Sequence, residues 1–499
     1  MTRGGVAVPL AKRLRWRAGW GDGLAVLAGA LWLAAGPTGA WLLGWIWPAL
    51  IYVAVRGGPP LRAMRGGATC ALLAMGRILT YGWAPELQSV LLVAAAAVGG
   101  VLGGCFGAVL PRLPAAARPW AFACGWALAD ALVTRTFVGH AASPAHDQGT
   151  LLPLAQAMAL TGFPGLVFLT MLLPAALVEC AGRRLAWATA GTTVLAVGLV
   201  GFAWGYGRTR LHLPADGPRL TVAIAQCTDS AAPSRRLAVR AQWRHLMRRA
   251  REQGAHLVIW PEIALIVTAT ERADWLAWLG EVSRAIGMAQ VVGIWERERR
   301  RNTLVAFDAT GRLRLDYAKR HPLWLVEPSL AGRDPPGVMS VAGQTIGGAV
   351  CFDDCSLDVP GTLARLGARF VAVPTRDWPA VTRPHARLHR HTAIAFGFAS
   401  ARSTPGRCEI VDDRGRVVAG GMAPQEGPFL AIGSVRLPQG PSPYARWGDW
   451  FAALAAGGWM LVSLSAAWRW GRTHSRLRSP SWAAPGSGRP PCAVHPPST

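Results

Sequence analysis

The chain has 499 residues, of which 52% are hydrophobic and only 16% are charged. Because soluble domains carry about 25% charged residues, this composition favours a membrane protein. Lys and Arg (52) outnumber Asp and Glu (27), and the net charge of +25 would by itself suit nucleic acid or an anionic membrane surface. The nine cysteines follow neither a zinc-ligand spacing nor a disulfide-framework spacing, so they predict neither kind of site.

Eight apolar segments are candidates for transmembrane helices, each of which needs roughly 20 mainly apolar residues. The first follows a basic N-terminal stretch without a small-residue cleavage site, so we interpret it as a retained anchor and not as a signal peptide. Seven segments form a predicted membrane domain at 22–210, and the eighth follows a more polar region. The eight segments are 22–36, 38–55, 66–83, 88–110, 119–134, 154–178, 185–205 and 449–468.

Positive charge alternates between the loops that join these segments, which indicates their orientation. Basic residues are concentrated in the tails, 1–21 and 469–499, and in every second loop, whereas Arg135 is an exception in the other loops. The rule that positive loops face the cytoplasm places both tails inside and residues 215–440 on the outer face. Much of the positive charge is therefore explained by the orientation of the helices in the membrane, and no nucleic-acid partner is expected. The Pro/Gly/Ser-rich C-terminal tail is expected to be disordered.

Residues 215–440 have the pattern of an α/β domain. Short runs rich in β-branched residues alternate with amphipathic helical patterns, and both faces of the resulting sheet must be covered, which predicts a layered sandwich. The helical patterns are "AVRAQWRHLMRRAREQG" and "ERADWLAWLGEVSRAIG". The predicted strands are "RLTVAIAQ", "AHLVIWPE", "AQVVGIWE", "NTLVAFDATGRLRLDYAK", "QTIGGAVCF" and "ARFVAVPT".

Three polar side chains lie just beyond predicted strands: Glu262, Lys319 and Cys351. The ends of strands are where α/β sheets commonly place reactive groups. A cysteine acts as a nucleophile only when its thiol loses a proton, so it needs a base and a cation nearby, and acyl transfer also needs donors for the oxyanion. The residues alone leave three interpretations of Cys351 open: a packed core thiol, a disulfide with Cys355, or a nucleophile.

The motifs "WPE", "KRHPLWLVE" and "GGAVCFDD", in this order, resemble the Glu–Lys–Cys constellation of the nitrilase (carbon–nitrogen hydrolase) superfamily. The eight spans, with a polar domain between the last two, resemble its apolipoprotein N-acyltransferase family. The resemblance implies a multi-pass α-helical membrane domain of about eight transmembrane helices plus an αββα sandwich. It also implies a location in the bacterial inner membrane, with the catalytic domain at 215–440 on the periplasmic side.

The resemblance also assigns roles to residues. It implies that Glu262 is the general base, that Cys351 is the nucleophile, and that Lys319 stabilises the oxyanion together with the backbone N–H of Phe352. Glu327 and Asp353 match family positions, although each could be an ordinary salt-bridge residue. Neither a cofactor nor a metal is expected, because His385, His389 and His391 lack a carboxylate pattern and suit a solvated or site-lining helix. The remaining substrate-site candidates are His385, which fits a family position, and Trp324 and Trp378, which could line lid loops or simply belong to the core.

The implied reaction moves a fatty acyl chain from a phospholipid donor, through a cysteine thioester, to the N-terminal amine of a lipoprotein. Three departures leave the substrate open: the family's "NDxW" appears as "TRDW" (375–378), and Ala395 stands where a glutamate is expected. The family's early "QxN…KW" segment has only Gln226, without the asparagine or an evident tryptophan. A membrane amidase or acyltransferase of another branch, such as a conjugal-transfer-associated protein, is therefore the second hypothesis. An inactive membrane scaffold is the third.

Overall fold

The computed structural model of the chain describes residues 20–182, 186–213, 217–227, 236–323 and 326–478. Within these residues, apolar helices come first, a sandwich of two β-sheets follows, and a long helix ends the chain. The α-helices are α1 (Trp20–Thr38), α2 (Leu43–Arg56), α3 (Pro60–Met75), α4 (Pro85–Val109), α5 (Arg118–Val133), α6 (Leu152–Ala155), α7 (Met158–Gly182), α8 (Trp187–His212), α9 (Arg236–Glu252), α10 (Ala269–Ile286), α11 (Asp358–Arg365), α12 (Pro379–Phe396), α13 (Pro443–Trp447) and α14 (Trp450–Arg478).

The sandwich consists of a seven-stranded and a six-stranded sheet. The first has the order β13-β1-β2-β4-β5-β6, with β3 paired to β4, and the second has the order β12-β11-β10-β9-β8-β7. The strands are β1 (Arg219–Gln226), β2 (Leu257–Ile259), β3 (Leu265–Val267), β4 (Ala289–Glu296), β5 (Arg301–Phe307), β6 (Leu313–Ala318), β7 (Val338–Val341), β8 (Gln344–Gly348), β9 (Phe370–Pro374), β10 (Ala399–Ser403), β11 (Gly406–Val411), β12 (Val417–Ala423) and β13 (Phe429–Arg436).

The alternation of side chains along the strands builds two apolar layers on the first sheet. In β1, Leu220, Val222 and Ile224 enter the core between the sheets. Ala223 and Ala225 face the other way, into a second core formed with α9 and α10. This separation follows from the period of two that places successive strand residues on opposite faces. The second sheet is covered by α11 and α12, so the domain is an αββα sandwich.

The second sheet and its helices share one apolar core with the membrane-type helices. Val371 and Val373 of β9 and Phe396 at the end of α12 belong to the same buried cluster as Phe163 and Leu166 of α7. Because interiors are close-packed, such a continuous core holds the sandwich against the helical region in one fixed arrangement.

A helix occurs at each of the eight predicted spans, but not all of these helices have the length of a span. Among the described residues, four helical stretches could cross a membrane by their length and apolar composition: Pro85–Arg112, Met158–Gly182, Trp187–His212 and Trp450–Arg472. Two shorter apolar helices are Trp20–Ala35 and Leu43–Arg56. The expected third span, 66–83, is wrong at both ends, because α3 begins at Pro60 and stops at Met75.

Two further expectations on elements are corrected. The run "NTLVAFDATGRLRLDYAK" is not one strand but the hairpin β5–β6, because Gly311 turns the chain with a φ of 82°. The tail that was expected to be disordered from 469 onward starts as helix, since α14 continues to Arg478. Residues 479–499 lie outside the described residues.

Candidate active site

Three strand ends bring Glu262, Lys319 and Cys351 to the same edge of the sandwich. Lys319 follows β6 directly, Glu262 follows β2, and Cys351 follows β8. The backbone N–H of Glu262 donates to the carbonyl of Thr375, just after β9, over 3.2 Å. This hydrogen bond ties the end of the first sheet to the end of the second, so residues from both sheets meet at one site.

The ammonium group of Lys319 lies between two carboxylates. Its Nζ is 3.0 Å from Oε1 of Glu262 and 2.5 Å from Oε1 of Glu327, and the lysine side chain is fully buried. Burial alone would lower the pKa of Lys319, but the negative charge that Cys351, Glu262 and Glu327 can carry outweighs it and holds this pKa above its usual value. The amine therefore stays protonated and can face an oxyanion.

Asn302 on β5 fixes both partners of this ion pair. Its Nδ2 donates to Oε1 of Glu262 over 2.6 Å. Its backbone carbonyl accepts from the N–H of Lys319 over 2.8 Å. Asn302 is the second residue of β5, and its two contacts with the site could not be read from the sequence.

Cys351 is buried, with 9% of its surface exposed, and has a left-handed backbone with φ of 49°. This conformation is uncommon for a residue other than glycine and is found at strained functional turns. Burial and the nearby Glu262 carboxylate raise the pKa of its thiol, while Lys319 lowers it less. The resting sulfur is therefore a thiol, which needs a base to become a nucleophile.

The surroundings of Cys351 bear on the three interpretations of this residue, namely a packed core thiol, a disulfide with Cys355, or a nucleophile. Cys351 and Cys355 are both free thiols, so the disulfide between them is absent. The backbone N–H of Arg376 lies close enough to the Cys351 sulfur to lower the pKa of its thiol. Cys351 also lines a large cavity, which distinguishes it from a thiol packed wholly inside a core.

Asp353 lies behind Cys351 and is not among the residues that line the cavity. Its carboxylate accepts from the hydroxyl of Tyr317 over 2.8 Å and from the backbone N–H of His321 over 2.8 Å. A third donor is the N–H of Arg320, at 3.1 Å. Asp353 thus joins the turn after β8 to the segment that follows Lys319, an arrangement that suits a positioning residue.

A charged network lies next to Cys351. Oδ1 of Asp377 is 2.9 Å from Nδ1 of His385, and Asp377 also forms an ion pair with the buried Arg402. Burial lowers the pKa of His385, but Cys355 and Asp354 outweigh this and leave it raised. Cys351, Asp377 and His385 could offer one metal ligand each, within 4.8 Å of one another. Because Arg402 already neutralises Asp377, we interpret the group as a protein hydrogen-bond network.

The other histidines of α12 are not solvated. His389 and His391 are fully buried, and Nδ1 of His389 is 2.8 Å from Oδ2 of Asp354. Nδ1 of His391 is 2.5 Å from Nδ1 of His146, which precedes α7. The expectation of a solvated helix is wrong at these two positions because α12 packs between the second sheet and the membrane-type helices.

A cavity of about 940 Å³ extends from Cys351 to the helical region. This is near the upper end of the roughly 300–1,000 Å³ typical of small-molecule sites. Its wall includes the candidates Glu262, Glu327, Phe352, His385 and Trp378. The indole N–H of Trp378 donates to the carbonyl of Tyr81, between α3 and α4. Trp324 lies outside the described residues. Apolar residues from the helical region complete the wall: Met75, Ile78, Leu87, Leu91, Phe137 and Val138.

Sequence reasoning missed Gly293 on β4. A side chain there would place its Cβ 2.5 Å from both the Cα of Glu262 and the carbonyl oxygen of Pro261. Only glycine therefore lets β4 pass this close to the segment that carries the carboxylate. A glycine inside a predicted strand is the one signal that could have indicated such a close approach.

Comparisons with known proteins agree with this arrangement. The carbon–nitrogen hydrolase family matches residues 221–440. An apolipoprotein N-acyltransferase of Geobacter metallireducens is 27% identical over 365 residues, which cover 65% of this chain and 69% of that protein. One of Gloeobacter violaceus is 27% identical over 483 residues, covering 86% of this chain and 90% of that protein.

A solved structure of an amidase from Nesterenkonia sp. is 22% identical, with a TM-score of 0.40, and covers 49% of this chain and 98% of the amidase chain. The comparison rests on the family match and on these two relatives. Residues 221–440 therefore match the carbon–nitrogen hydrolase family, and the chain is similar over most of its length to proteins named apolipoprotein N-acyltransferase.

Proposed function

We propose that the protein is an N-acyltransferase of the bacterial inner membrane that moves a fatty acyl chain from a phospholipid to the N-terminal amine of a lipoprotein. Eight helices span the membrane in this proposal, seven before the sandwich and one after it, and the sandwich lies on the periplasmic side. The loop charges support the orientation, and the two relatives named as apolipoprotein N-acyltransferases support the acceptor.

In the first half of the reaction, Glu262 takes the proton of the Cys351 thiol as the sulfur attacks the acyl ester carbonyl. The charge that develops on the carbonyl oxygen is stabilised by Lys319 and by the backbone N–H of Phe352. The bond from the acyl carbon to the glycerol oxygen then breaks, and Glu262 returns the proton to that oxygen. A lysophospholipid leaves, and the acyl chain remains on the sulfur as a thioester.

In the second half, the acceptor amine attacks the thioester carbonyl. Glu262 accepts a proton from the nitrogen, the carbon–sulfur bond breaks, and the proton passes to the sulfur, which restores the thiol. Glu327 holds Lys319 in place over 2.5 Å through both halves, while Glu262 alternates between its charged and neutral forms. Asp353 keeps the segment after Lys319 and the turn of Cys351 together.

The single observation that carries the proposal is the cavity that joins Cys351 to the apolar side chains of α4. Leu87 and Leu91 on α4 line the same space as Glu262 and Cys351. An acyl chain needs an apolar wall, and its ester needs the nucleophile, so one continuous cavity suits a lipid donor. Donor and acceptor would both be held at one membrane surface, which raises their effective concentration.

Complementation tests this proposal. A strain depleted of its own lipoprotein N-acyltransferase should be rescued by the protein, and mass spectrometry should show a third acyl chain on lipoprotein N-termini. The Cys351→Ala variant, expressed to the same level, should not rescue. If the wild-type protein is present in the membrane and the N-termini remain free amines, the acceptor is not a lipoprotein, and the other-branch amidase or acyltransferase is favoured.

A further inference from the structure

His385, on α12, is a titratable side chain of the cavity wall that neither half-reaction uses. A nitrogen of its imidazole ring lies within 4.8 Å of the sulfur of Cys351. Any atom that attacks the thioester must approach the acyl carbon, which is bonded directly to this sulfur. The imidazole therefore lies close to the place where the acceptor amine reacts.

Asp377 fixes the orientation of this imidazole. Oδ1 of Asp377 is 2.9 Å from Nδ1 of His385. Asp377 is itself held in place, because its carboxylate forms an ion pair with the fully buried Arg402 and its backbone N–H donates to Oγ1 of Thr404 over 2.9 Å. A carboxylate that accepts from Nδ1 leaves Nε2 as the nitrogen that gains and loses a proton.

Nε2 of His385 is buried, and among the described residues no group makes a hydrogen bond of ordinary geometry to it. Burial lowers the pKa of the ring, but the thiol of Cys355 and the carboxylate of Asp354 outweigh it and raise this pKa. The other charged or titratable groups around the ring are Asp377, Arg402, Cys351, Lys319 and His140. Because a buried polar atom without a partner is costly, Nε2 suits a hydrogen bond to a substrate.

The second half-reaction requires two proton transfers from the acceptor nitrogen. An α-amino group has a pKa of roughly 7.7–8.0, so at pH 7 most of an N-terminal amine is ammonium, which has no lone pair. One proton must leave before the nitrogen can attack, and another must leave as the carbon–nitrogen bond forms. Glu262 accepts the second proton, so the first needs another base.

Two other bases of the cavity wall already have partners. Glu327 holds the ammonium of Lys319 at 2.5 Å. The Nε2 atom of His146 is 2.7 Å from the carbonyl oxygen of His140, and its Nδ1 is 2.5 Å from Nδ1 of His391. The ammonium of the acceptor therefore needs a base other than these.

We propose that His385 is a second catalytic base, which takes the first proton from the acceptor ammonium, and that Asp377 is its positioning residue. This inference rests on the proposed function and deepens its second half. Nε2 removes one proton, and the nitrogen then attacks the thioester carbonyl with the lone pair that this transfer frees. Glu262 takes the second proton and passes it to the departing sulfur. The imidazolium releases its proton to water, so the transfer yields one amide, one thiol and one free proton.

An acyl-enzyme made with p-nitrophenyl octanoate tests this role without the phospholipid donor. Full-length protein in detergent is acylated, and the excess ester is removed. Two acceptors are then compared at pH 7: S-propylcysteinyl-serine amide, whose amine is mostly protonated, and methoxyamine, which is already neutral. Mass spectrometry follows the loss of the acyl chain from Cys351. His385→Gln and His385→Asn should both be acylated at the wild-type rate, because the first half-reaction needs only Glu262 as base.

Transfer to the dipeptide amide should fall by about tenfold at pH 7 in both variants, since only about a tenth of its amine is neutral there, and the loss should vanish toward pH 9. Transfer to methoxyamine should stay unchanged, which also shows that the variants are folded. His245→Gln, at an exposed position on α9, should match the wild type.

Four results would each overturn the role of His385: equal losses with the two acceptors, a loss that persists at pH 9, transfer at the wild-type rate at pH 7, or variants that are not acylated although the wild type is. A wild-type protein that gains no acyl chain on Cys351 would instead contradict the proposed function, on which the inference rests.

Discussion

The ammonium group of Lys319 forms ion pairs with two carboxylates, those of Glu262 and Glu327. Glu262 can therefore become neutral without leaving Lys319 unpaired. When Glu262 takes a proton, Glu327 still balances the ammonium at 2.5 Å, so Lys319 keeps its place and its charge. With a single carboxylate, neutralising the base would leave a buried ammonium without a partner, which is costly. The second carboxylate thus suits a mechanism in which the base is protonated in each half-reaction.

Replacing Glu262 by Gln should change how the rate depends on pH. Since burial raises the pKa of the Cys351 thiol, a protein without the base must wait for rare spontaneous ionisation. We expect the rate near neutral pH to fall by about 10²–10⁴, the usual contribution of a general base. The residual rate should then climb about tenfold per pH unit, as the thiolate fraction does below the pKa. Turnover of a fluorescent phospholipid between pH 6 and 9 measures this.

The wild-type protein is the control, because its base removes the proton and its rate should climb less steeply. A Glu262→Gln rate parallel to the wild-type rate over this range would mean that Glu262 is not the base.

The three principal residues could be predicted because short motifs in a fixed order place them after strands. The groups around them could not. The backbone of Arg376 lies near the Cys351 sulfur, and Asp377 pairs with Arg402, only because two sheets meet at this edge. Such contacts join positions far apart in the chain, and no local pattern encodes them. For Asp353, the sequence indicated a site residue but not that its carboxylate would point away from the cavity.

The turn after β8 is the element that presents Cys351. It is a short 3₁₀ turn, Cys351–Cys355, that starts from a left-handed residue and is closed by the buried Asp353 carboxylate. Hydrogen bonds from Tyr317 and from two backbone N–H groups hold this carboxylate. The position of Cys351 relative to Lys319 therefore depends on the Asp353 side chain, which does not line the cavity.

Asp353→Asn should loosen this turn. The new side-chain amide would turn its NH₂ group toward the hydroxyl of Tyr317 or the backbone N–H groups of Arg320 and His321, which are themselves donors. Since hydrogen bonds to a charged group contribute about 1.5–3 kcal/mol, we expect the free energy of unfolding to fall by roughly 2 kcal/mol. Activity should fall with it, since Lys319 and Cys351 lose their common support. Tyr317→Phe, which removes one donor, should cost only about 1 kcal/mol. Thermal unfolding in detergent, together with phospholipid turnover, measures both effects. An Asp353→Asn protein with wild-type stability and activity would refute the positioning role.

Elements with a clear apolar pattern were predicted at the right residues. Other elements form because of contacts with distant parts of the chain. β1 and β4 occur at the predicted residues because their apolar runs suit strands buried on both faces. β12 has four exposed and two half-exposed residues among seven, including two adjacent glycines, so its sequence has no strand period. It forms because β11 offers an antiparallel partner along its length.

The sandwich and the helical region form one body through the packing of α12 on α7, and the active-site cavity lies at their junction. Residues of both parts line it, so neither part alone would form the complete site. The sequence indicated two regions of different composition, but it gave no sign of their junction. The side chains that form this junction are apolar in both regions. In the sequence they cannot be distinguished from residues that pack inside either region.

Orientation in the membrane can be tested by labelling single cysteines. With the native cysteines replaced, Arg312→Cys in the exposed β5–β6 turn should react with a membrane-impermeant maleimide in cells whose outer membrane alone is permeabilised. Arg62→Cys, at the start of α3, should react only after the inner membrane is opened, because the positive loops are expected to be cytoplasmic. The reverse pattern would place the sandwich inside the cell.

The thioester on Cys351 is the most direct test of the account. Purified protein incubated with phospholipid and no acceptor should gain the mass of one acyl chain, located on the peptide that contains Cys351 and removed by hydroxylamine. The Cys351→Ala protein should gain none. Equal acylation of the two proteins, or an acyl chain found on another residue, would contradict the mechanism.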